Sequence, residues 1–475
     1  MKAFHFIFSL QVLIPGFISL HLTAQNIPIR LNKENPHYFS YHGKPTILLT
    51  SGEHYGAVLN LDFDFVSYLN ELHSKGFNLT RTFTGTYVEP QGSFNIASNS
   101  LAPPSGRFIC PWSRSKEPGY ANGGNKFDLT HWDVNYFNRL KNFVFAAQKR
   151  GIIIELSLFC PFYEEIQWSL SPMNSINNIT GVGNIDRNNV YTLDKNDGLL
   201  AIQENLVVKI LNELKNFDNV IYEICNEPYF GGVTLDWQYH IADVLSETQK
   251  SFKAPKLISQ NIANGTAKIK DPHPAVSIFN FHYASPPVAV SENYNLDKVI
   301  GDNETGFRGN ADSIYRMEGW EFIMAGGGLF NNLDYSFTAN YERGTFAYPS
   351  KQPGGGSKEL RNQLSYLKNF ITRFDFINMK PYRSVFKIVP EYIKMHALAE
   401  TGKQYAVYLF GGTQARLELM LPPGTYRIEW MNPITGKIMD KKLLKHTGSN
   451  FAITSPEYLQ DIALSILNIN YKKNN

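Results

Sequence analysis

Two glutamates stand where apolar runs end. Ile221-Tyr222-Glu223-Ile224-Cys225 leads straight into Asn226-Glu227-Pro228, and Val299-Ile300-Gly301-Asp302-Asn303 leads into Glu304-Thr305-Gly306. A short apolar run is the pattern of a buried strand, and a carboxylate at its end is well placed to react. Two such groups at one pocket suit cleavage of a glycosidic bond. One, protonated, donates to the leaving oxygen; the other, ionised, attacks the anomeric carbon or activates water. Mutual repulsion and partial burial would push their pKa values apart. The plain alternative is that each glutamate caps a helix or pairs with an arginine. The tripeptide Asn-Glu-Pro carries little information alone; its place at a strand end gives it weight.

These residues need elements to hold them. Strand patterns are expected at 45–50, 77–81, 152–158, 219–224, 256–259, 276–279 and 298–301, with a short final strand near 322–325 or just after. Helical periodicity alternates with them at 62–74, 132–150, 205–217, 237–252, 312–324 and 358–374. A long loop rich in Pro, Ser, Gly and Asn fills the chain from the second strand to about Thr130. Some eight β/α units in one run predict an α/β fold, a closed (β/α)8 TIM barrel. An open doubly wound sheet is the alternative, but no Gly-rich phosphate loop follows the first strand. After Pro390 the period changes to two, in 405–409, 417–421 and 426–430, with turns at Pro422-Pro423-Gly424 and Asn432-Pro433. That pattern predicts a small C-terminal antiparallel β-sandwich. The expected domains are a signal peptide over 1–24, the barrel over 25–388 and the sandwich over 389–475.

Asn226-Glu227-Pro228 after the fourth strand and Glu304 after the seventh resemble the clan A retaining glycoside hydrolases, the cellulase-like (β/α)8 group. Asn35-Pro36-His37-Tyr38-Phe39, Gly43-Lys44-Pro45 and Phe77-Asn78-Leu79-Thr80-Arg81 resemble the cellulase-like proteins of Bacteroidota, whose C-terminal sandwich is sometimes labelled a collagen-binding domain. The resemblance covers about residues 30–475. It implies Glu227 as acid/base, Glu304 as nucleophile and Asn226 on the sugar 2-hydroxyl. It also implies that Arg81 keeps the nucleophile ionised, which agrees with the effect of a nearby guanidinium on a carboxylate. His282 would stand after strand six, within reach of the sugar or Glu304. Many members space the aromatic one residue further on, as His-x-Tyr; here Tyr283 follows His282 directly, and adjacent strand residues face opposite ways. In place of the strand-eight tryptophan the chain has Gly326-Gly327-Gly328 followed by Leu329-Phe330-Asn331-Asn332-Leu333-Asp334-Tyr335, so Asn332, Asp334 or Tyr335 is expected to bind there.

Weaker candidates are Glu53 and His54 after strand one, as pocket floor or as a structural turn. Tyr87 and Glu89 follow strand two. Trp168, after strand three, is either a stacking platform or a cover for the barrel rim. Trp320 and Trp430 read as core.

Composition narrows the function classes. Hydrophobic residues are 43% and charged residues 18% of 475, which excludes disorder and coiled coil. The net charge is +3 with no basic stripe, which argues against a nucleic-acid partner. The start, Lys2 then an apolar run to Leu20 and Leu22-Thr23-Ala24, reads as a cleaved export signal, with a membrane anchor as the alternative; no cysteine follows for lipid attachment. A secreted or periplasmic protein that does not span the membrane is expected. Cys110, Cys160 and Cys225 cannot all pair and read as buried thiols. With no CxxC and no HExxH, no metal or other cofactor is expected. Four glycosylation sequons, at Asn78, Asn178, Asn264 and Asn303, read as incidental. The expected partner is a poly- or oligosaccharide. The rival reading is a glycan-binding protein that keeps the scaffold without turnover.

Overall fold

The structure, a computed structural model, describes residues 27–471; the expected signal segment lies outside them. Eight strands build the barrel: β1 (Leu48–Gly52), β2 (Leu79–Phe83), β3 (Ile153–Phe159), β4 (Val220–Cys225), β5 (Ile258–Asn264), β6 (Ile278–His282), β7 (Val299–Thr305) and β8 (Leu329–Leu333). They pair in parallel from β2 in sequence to β8 and on to β1. The ring closes between β1 and β2 through Asn78. Its backbone N–H donates to Leu49 O at 3.3 Å, its side-chain oxygen accepts from Leu49 N at 3.1 Å, and its amide donates to Ile47 O at 2.9 Å. Side-chain caps start the helices that follow: Asp64 before Phe65–Ser74, Asp133 before Val134–Gln148, Thr234 before Leu235–Gln249 and Ser357 before Lys358–Thr372.

Period-two alternation turns every other strand residue inward. The first inward layer is apolar: Leu48, Leu79, Ile153, Ile221, Ile278, Val299 and Leu329, plugged from below by Ile29, Phe39 and Tyr41. Phe39 and Tyr41 belong to a small antiparallel sheet of Arg30–Leu31, Phe39–Tyr41 and Lys44–Thr46. The next layer is polar: Arg81, Glu155, Glu223, Asn280 and Asn303. Only above it comes the pocket. Gly301 belongs to this crowded level, where a Cβ would overlap the Asn280 amide.

Three expectations are corrected. The run 45–50 is split, because Lys44–Thr46 pairs with Phe39–Tyr41 and the barrel strand begins at Leu48. Residues 322–324 end the helix Asp312–Met324, and the eighth strand starts only after the three glycines. The long loop after β2 contains a hairpin, Trp112–Pro118 with Asn125–Trp132, so Trp132 pairs with Trp112 rather than opening a helix.

The C-terminal unit is an antiparallel sandwich of a six-stranded and a three-stranded sheet. Its strands include Lys380–Pro381 and Phe386–Ile388, ahead of the boundary expected at 389. Tyr405, Tyr426 and Trp430 fill its core. It docks on the helix Asp312–Met324. Arg316 forks onto Asp461 with two bonds of 3.0 Å, Tyr408 donates to Asp461 at 2.8 Å, and the Trp320 ring stacks on Tyr408 at 5.2 Å. All four side chains are buried. Arg316→Ala leaves a buried carboxylate unpaired, so it is expected to cost about 3–5 kcal/mol. Urea denaturation would show this as a lower midpoint.

Candidate active site

The ends of β1, β4 and β6 carry the site on unusual backbone. Tyr55, Glu227 and Tyr283 have φ of 61°, 34° and 54°. Bulky residues in this left-handed region are strained, and such strain gathers at functional sites. At Tyr283 it answers the sequence problem directly. A regular strand would turn Tyr283 away from His282; the left-handed turn swings it back to the same carboxylate.

Glu304 is held from three sides. Arg81 Nη1 lies 3.2 Å from Oε2, the Tyr55 hydroxyl donates to Oε2 at 2.8 Å, and the Tyr283 hydroxyl donates to Oε1 at 2.6 Å. Glu227 accepts from the Tyr163 hydroxyl at 2.6 Å and the Tyr229 hydroxyl at 3.3 Å. His282 Nδ1 joins the two, 3.0 Å from Glu227 Oε1 and 3.6 Å from Glu304 Oε1. The Asn226 side-chain oxygen accepts from Arg81 at 2.6 Å, and its amide donates to the Tyr163 hydroxyl at 2.9 Å.

Electrostatics follow from this packing. Burial would raise the Glu227 carboxyl, but the His282 hydrogen bond and charge, helped by the two tyrosines, outweigh it and hold the carboxyl below its usual value. Burial would lower His282, yet the charges of Glu304 and Glu227 raise it. The lowered carboxyl and the raised imidazole place the proton of this pair on His282 and leave Glu227 ionised, and the two groups titrate together. Below them Glu223 contacts Arg81 and accepts from Ser157 at 2.7 Å and Asn261 at 3.0 Å. Glu155 accepts from Ser259 at 2.8 Å, Asn280 at 2.7 Å and Asn303 at 3.0 Å. Its carboxyl is raised by burial and then by Glu223.

A pocket of about 310 Å³ opens over the two glutamates. Its size is at the lower end of small-molecule sites. His54 and Glu89, 3.5 Å apart, and Tyr87 stand on its wall. Asn226, Glu227, Tyr283 and Glu304 also line it, whereas Arg81 and His282 lie just beneath the surface.

Five expected binding residues are elsewhere. The Glu53 carboxylate accepts from Gly56 N at 2.9 Å, Ala57 N at 3.1 Å and the Ser100 hydroxyl, so it shapes the loop after β1; burial pushes its carboxyl up to about 7. Trp168 donates to Ile185 O at 3.0 Å and packs on Phe162, covering the rim. Asn332 bonds Thr305 at 2.9 Å and Ser51 at 3.1 Å within the barrel wall. Asp334 turns outward to the buried Arg361 guanidinium at 2.7 Å. Tyr335 lies behind His54 and Phe307. The sequon residues Asn178 and Asn303 are buried, and the three cysteines are buried and unbonded.

Sequence reasoning had no role for Tyr55, Tyr163, Tyr229, Glu223, Phe94, Phe230 or Phe307. A usable signal existed for Tyr229 and Phe230, which directly follow Asn-Glu-Pro, and for Tyr163, which lies just beyond β3. Glu227, His282 and Glu304 also offer donor atoms that all lie within 4.8 Å of one another, a set that could hold a metal ion. Hydrogen bonds from the tyrosines, and the one between His282 Nδ1 and Glu227, engage the carboxylate oxygens, while His282 Nε2 has no hydrogen-bond partner among the described residues.

No family model matches the chain, and no curated protein matches it. Solved structures do. A glycoside hydrolase family 5 protein from Bacteroides vulgatus superposes with a TM-score of 0.65 at 15% identity, over 95% of each chain. A second Bacteroides vulgatus protein, described as a candidate glycoside hydrolase, gives 0.67 at 13% identity, over 94% of this chain and 83% of that one. A family 5 mannosidase from Rhizomucor miehei gives 0.51 at 10% identity, over 74% of this chain and 98% of that one. The chain thus shares the fold of these glycoside hydrolases, along nearly its whole length with the two Bacteroides vulgatus proteins and along about three quarters of it with the mannosidase.

Proposed function

We propose that the protein is a secreted retaining glycoside hydrolase of clan A, with Glu304 as nucleophile and Glu227 as acid/base. One observation carries this reading: the two carboxylates present oxygens within 4.8 Å of one another. Retaining enzymes hold their carboxyls about 5–5.5 Å apart, while inverting enzymes need about 6.5–9.5 Å to fit a water. Glu304 attacks the anomeric carbon, and the proton that rests on His282 passes through Glu227, 3.0 Å away, to the departing oxygen. Water, deprotonated by Glu227, then releases the sugar. Arg81 and the Tyr55 hydroxyl balance the negative charge that a nucleophile carries. Pocket size favours attack at a chain end over binding of a long polymer. The similar fold of a mannosidase supports a hexose glycone. The apolar N-terminal run supports export, and the buried seam with the barrel supports a structural role for the sandwich.

A panel of plant, host and synthetic glycosides tests this, comparing wild type with Glu304→Gln. Release by wild type that is abolished in the variant, unchanged by a chelator, with NMR showing retained configuration, is the expected result. Equal release by both proteins would remove Glu304 as nucleophile; inversion would remove the double displacement. Glycan binding without release would favour the binding-protein reading.

The proton of the Glu227 and His282 pair sets the pH dependence. The histidine is raised above 6.5, so the proton is present at low pH and lost only as pH rises through a value above 6.5. The alkaline limb of kcat/KM is expected above pH 6.5, and a limb near 4.5 would contradict the pairing.

A further inference from the structure

Resting on the assignment of Glu227 as the acid, the side of the pocket beside Glu227 receives the leaving group. That side is apolar. Phe94 packs on Tyr163 at 5.3 Å, Tyr163 on Phe230 at 5.6 Å, Phe94 on Phe307 at 6.5 Å and Phe307 on Tyr283 at 6.0 Å, a collar of five rings around the carboxylates. Phe94 is 37% and Phe230 43% exposed although both line the pocket. No tryptophan lines it. The hydroxyls on this side are already engaged: Tyr163 and Tyr229 donate to Glu227, and Tyr229 also contacts Asn264. A second sugar ring placed here would meet one free donor, the Asn264 amide, and would lose water from its other hydroxyls without gaining partners, whereas an apolar group would gain by burial.

The backbone adds an independent observation. Phe94 and Asn95 both lie in the left-handed region, with φ of 54° and 60°. Two consecutive non-glycine residues persist there only where the surroundings hold them. Ala97 N donates to Gln352 at 3.0 Å, and Ser98 bonds Thr338 at 2.7 Å, anchoring the segment. What the strain achieves is an exposed phenyl ring held over the mouth of the pocket.

We propose that the substrates are glycosides of hydrophobic alcohols, with an aryl-bearing or alkyl aglycone seated against Phe94, Tyr163 and Phe230. The bond from the anomeric carbon to the aglycone oxygen breaks as the Glu304 ester forms, and the Glu227 proton completes the free alcohol. The test uses the glycone found by the panel above, as 2-phenylethyl, hexyl and methyl glycosides and as a disaccharide. The three simple glycosides leave as alkanols, so their ratios report recognition rather than leaving-group chemistry, and the disaccharide has the more acidic leaving group, so its slower cleavage cannot come from poorer departure. We expect kcat/KM for the 2-phenylethyl glycoside to exceed those of the methyl glycoside and the disaccharide by about tenfold or more. Phe230→Ser and Phe94→Ser, at exposed positions, are each expected to shrink that ratio about fivefold. Because the ratio is internal to each protein, partial misfolding does not move it. A preference for the disaccharide, or a ratio untouched by both variants, overturns this proposal and leaves the glycosidase reading standing. No turnover of any glycoside overturns both.

Discussion

Glu227→Gln is expected to lose on the order of 10²–10⁴ in kcat/KM on glycosides of alkanols, the usual contribution of a general acid. The glutamine keeps the size of the side chain and can still accept from Tyr163, but it has no proton to give. The loss should depend on the leaving group. A nitrophenyl glycoside departs without protonation, so its first step should be nearly spared, and a burst of phenolate followed by slow turnover should appear. Added azide, which needs no base, should restore the second step and yield a glycosyl azide of retained configuration. Equal losses on nitrophenyl and alkyl glycosides, with no azide rescue, would show that Glu227 holds the substrate rather than protonating it. Glu304→Gln should show neither the burst nor the rescue, which separates the two roles.

Arg81→Ala should be as damaging, by a different route. Arg81 is 1% exposed, contacts Glu223, lies 3.2 Å from Glu304 and stacks at 4.5 Å on the Tyr55 ring. Removing it leaves two buried carboxylates without their cation, beside Glu155 on the same inward layer. The cost of breaking a buried pair in this way is about 3–5 kcal/mol, which calorimetry would register as a large fall in Tm. Arg81→Lys separates stability from function. A lysine restores the charge but cannot fork to Glu223, Glu304 and Asn226 together. It should recover part of the Tm while kcat stays low. If Arg81→Lys recovers activity along with stability, the fork geometry is not what positions the nucleophile.

Much of this arrangement was legible in the chain. The barrel strands, the change to period two near Pro390 and the place of Glu227 and Glu304 at strand ends all follow from local patterns. Arg81 came instead from the family resemblance carried by Phe77-Asn78-Leu79-Thr80-Arg81. The failures have a common cause. Glu53 and Asp334 look like pocket carboxylates until their partners are known, and those partners, Ser100 and Arg361, lie in other elements. Asn332 was expected to face the pocket beyond the last strand, but it stands within that strand, where Ser51 and Thr305 on the neighbouring strands take its amide. Trp168 is aromatic and follows a strand, yet Phe162 and Ile185 draw it into the rim.

Tyr283 shows the division most clearly. Alternation along a strand is a property of consecutive residues, so the sequence by itself determined the barrel, its two opposed glutamates and the sandwich. Whether a side chain just beyond a strand turns toward the pocket depends on one backbone angle and on contacts from distant loops. The left-handed turns at Tyr55, Glu227 and Tyr283, the link of Glu227 to His282 and the collar of rings around the pocket were decided only by the tertiary structure. Each needs groups from separate βα loops, held together by burial and hydrogen bonds that no local spacing encodes.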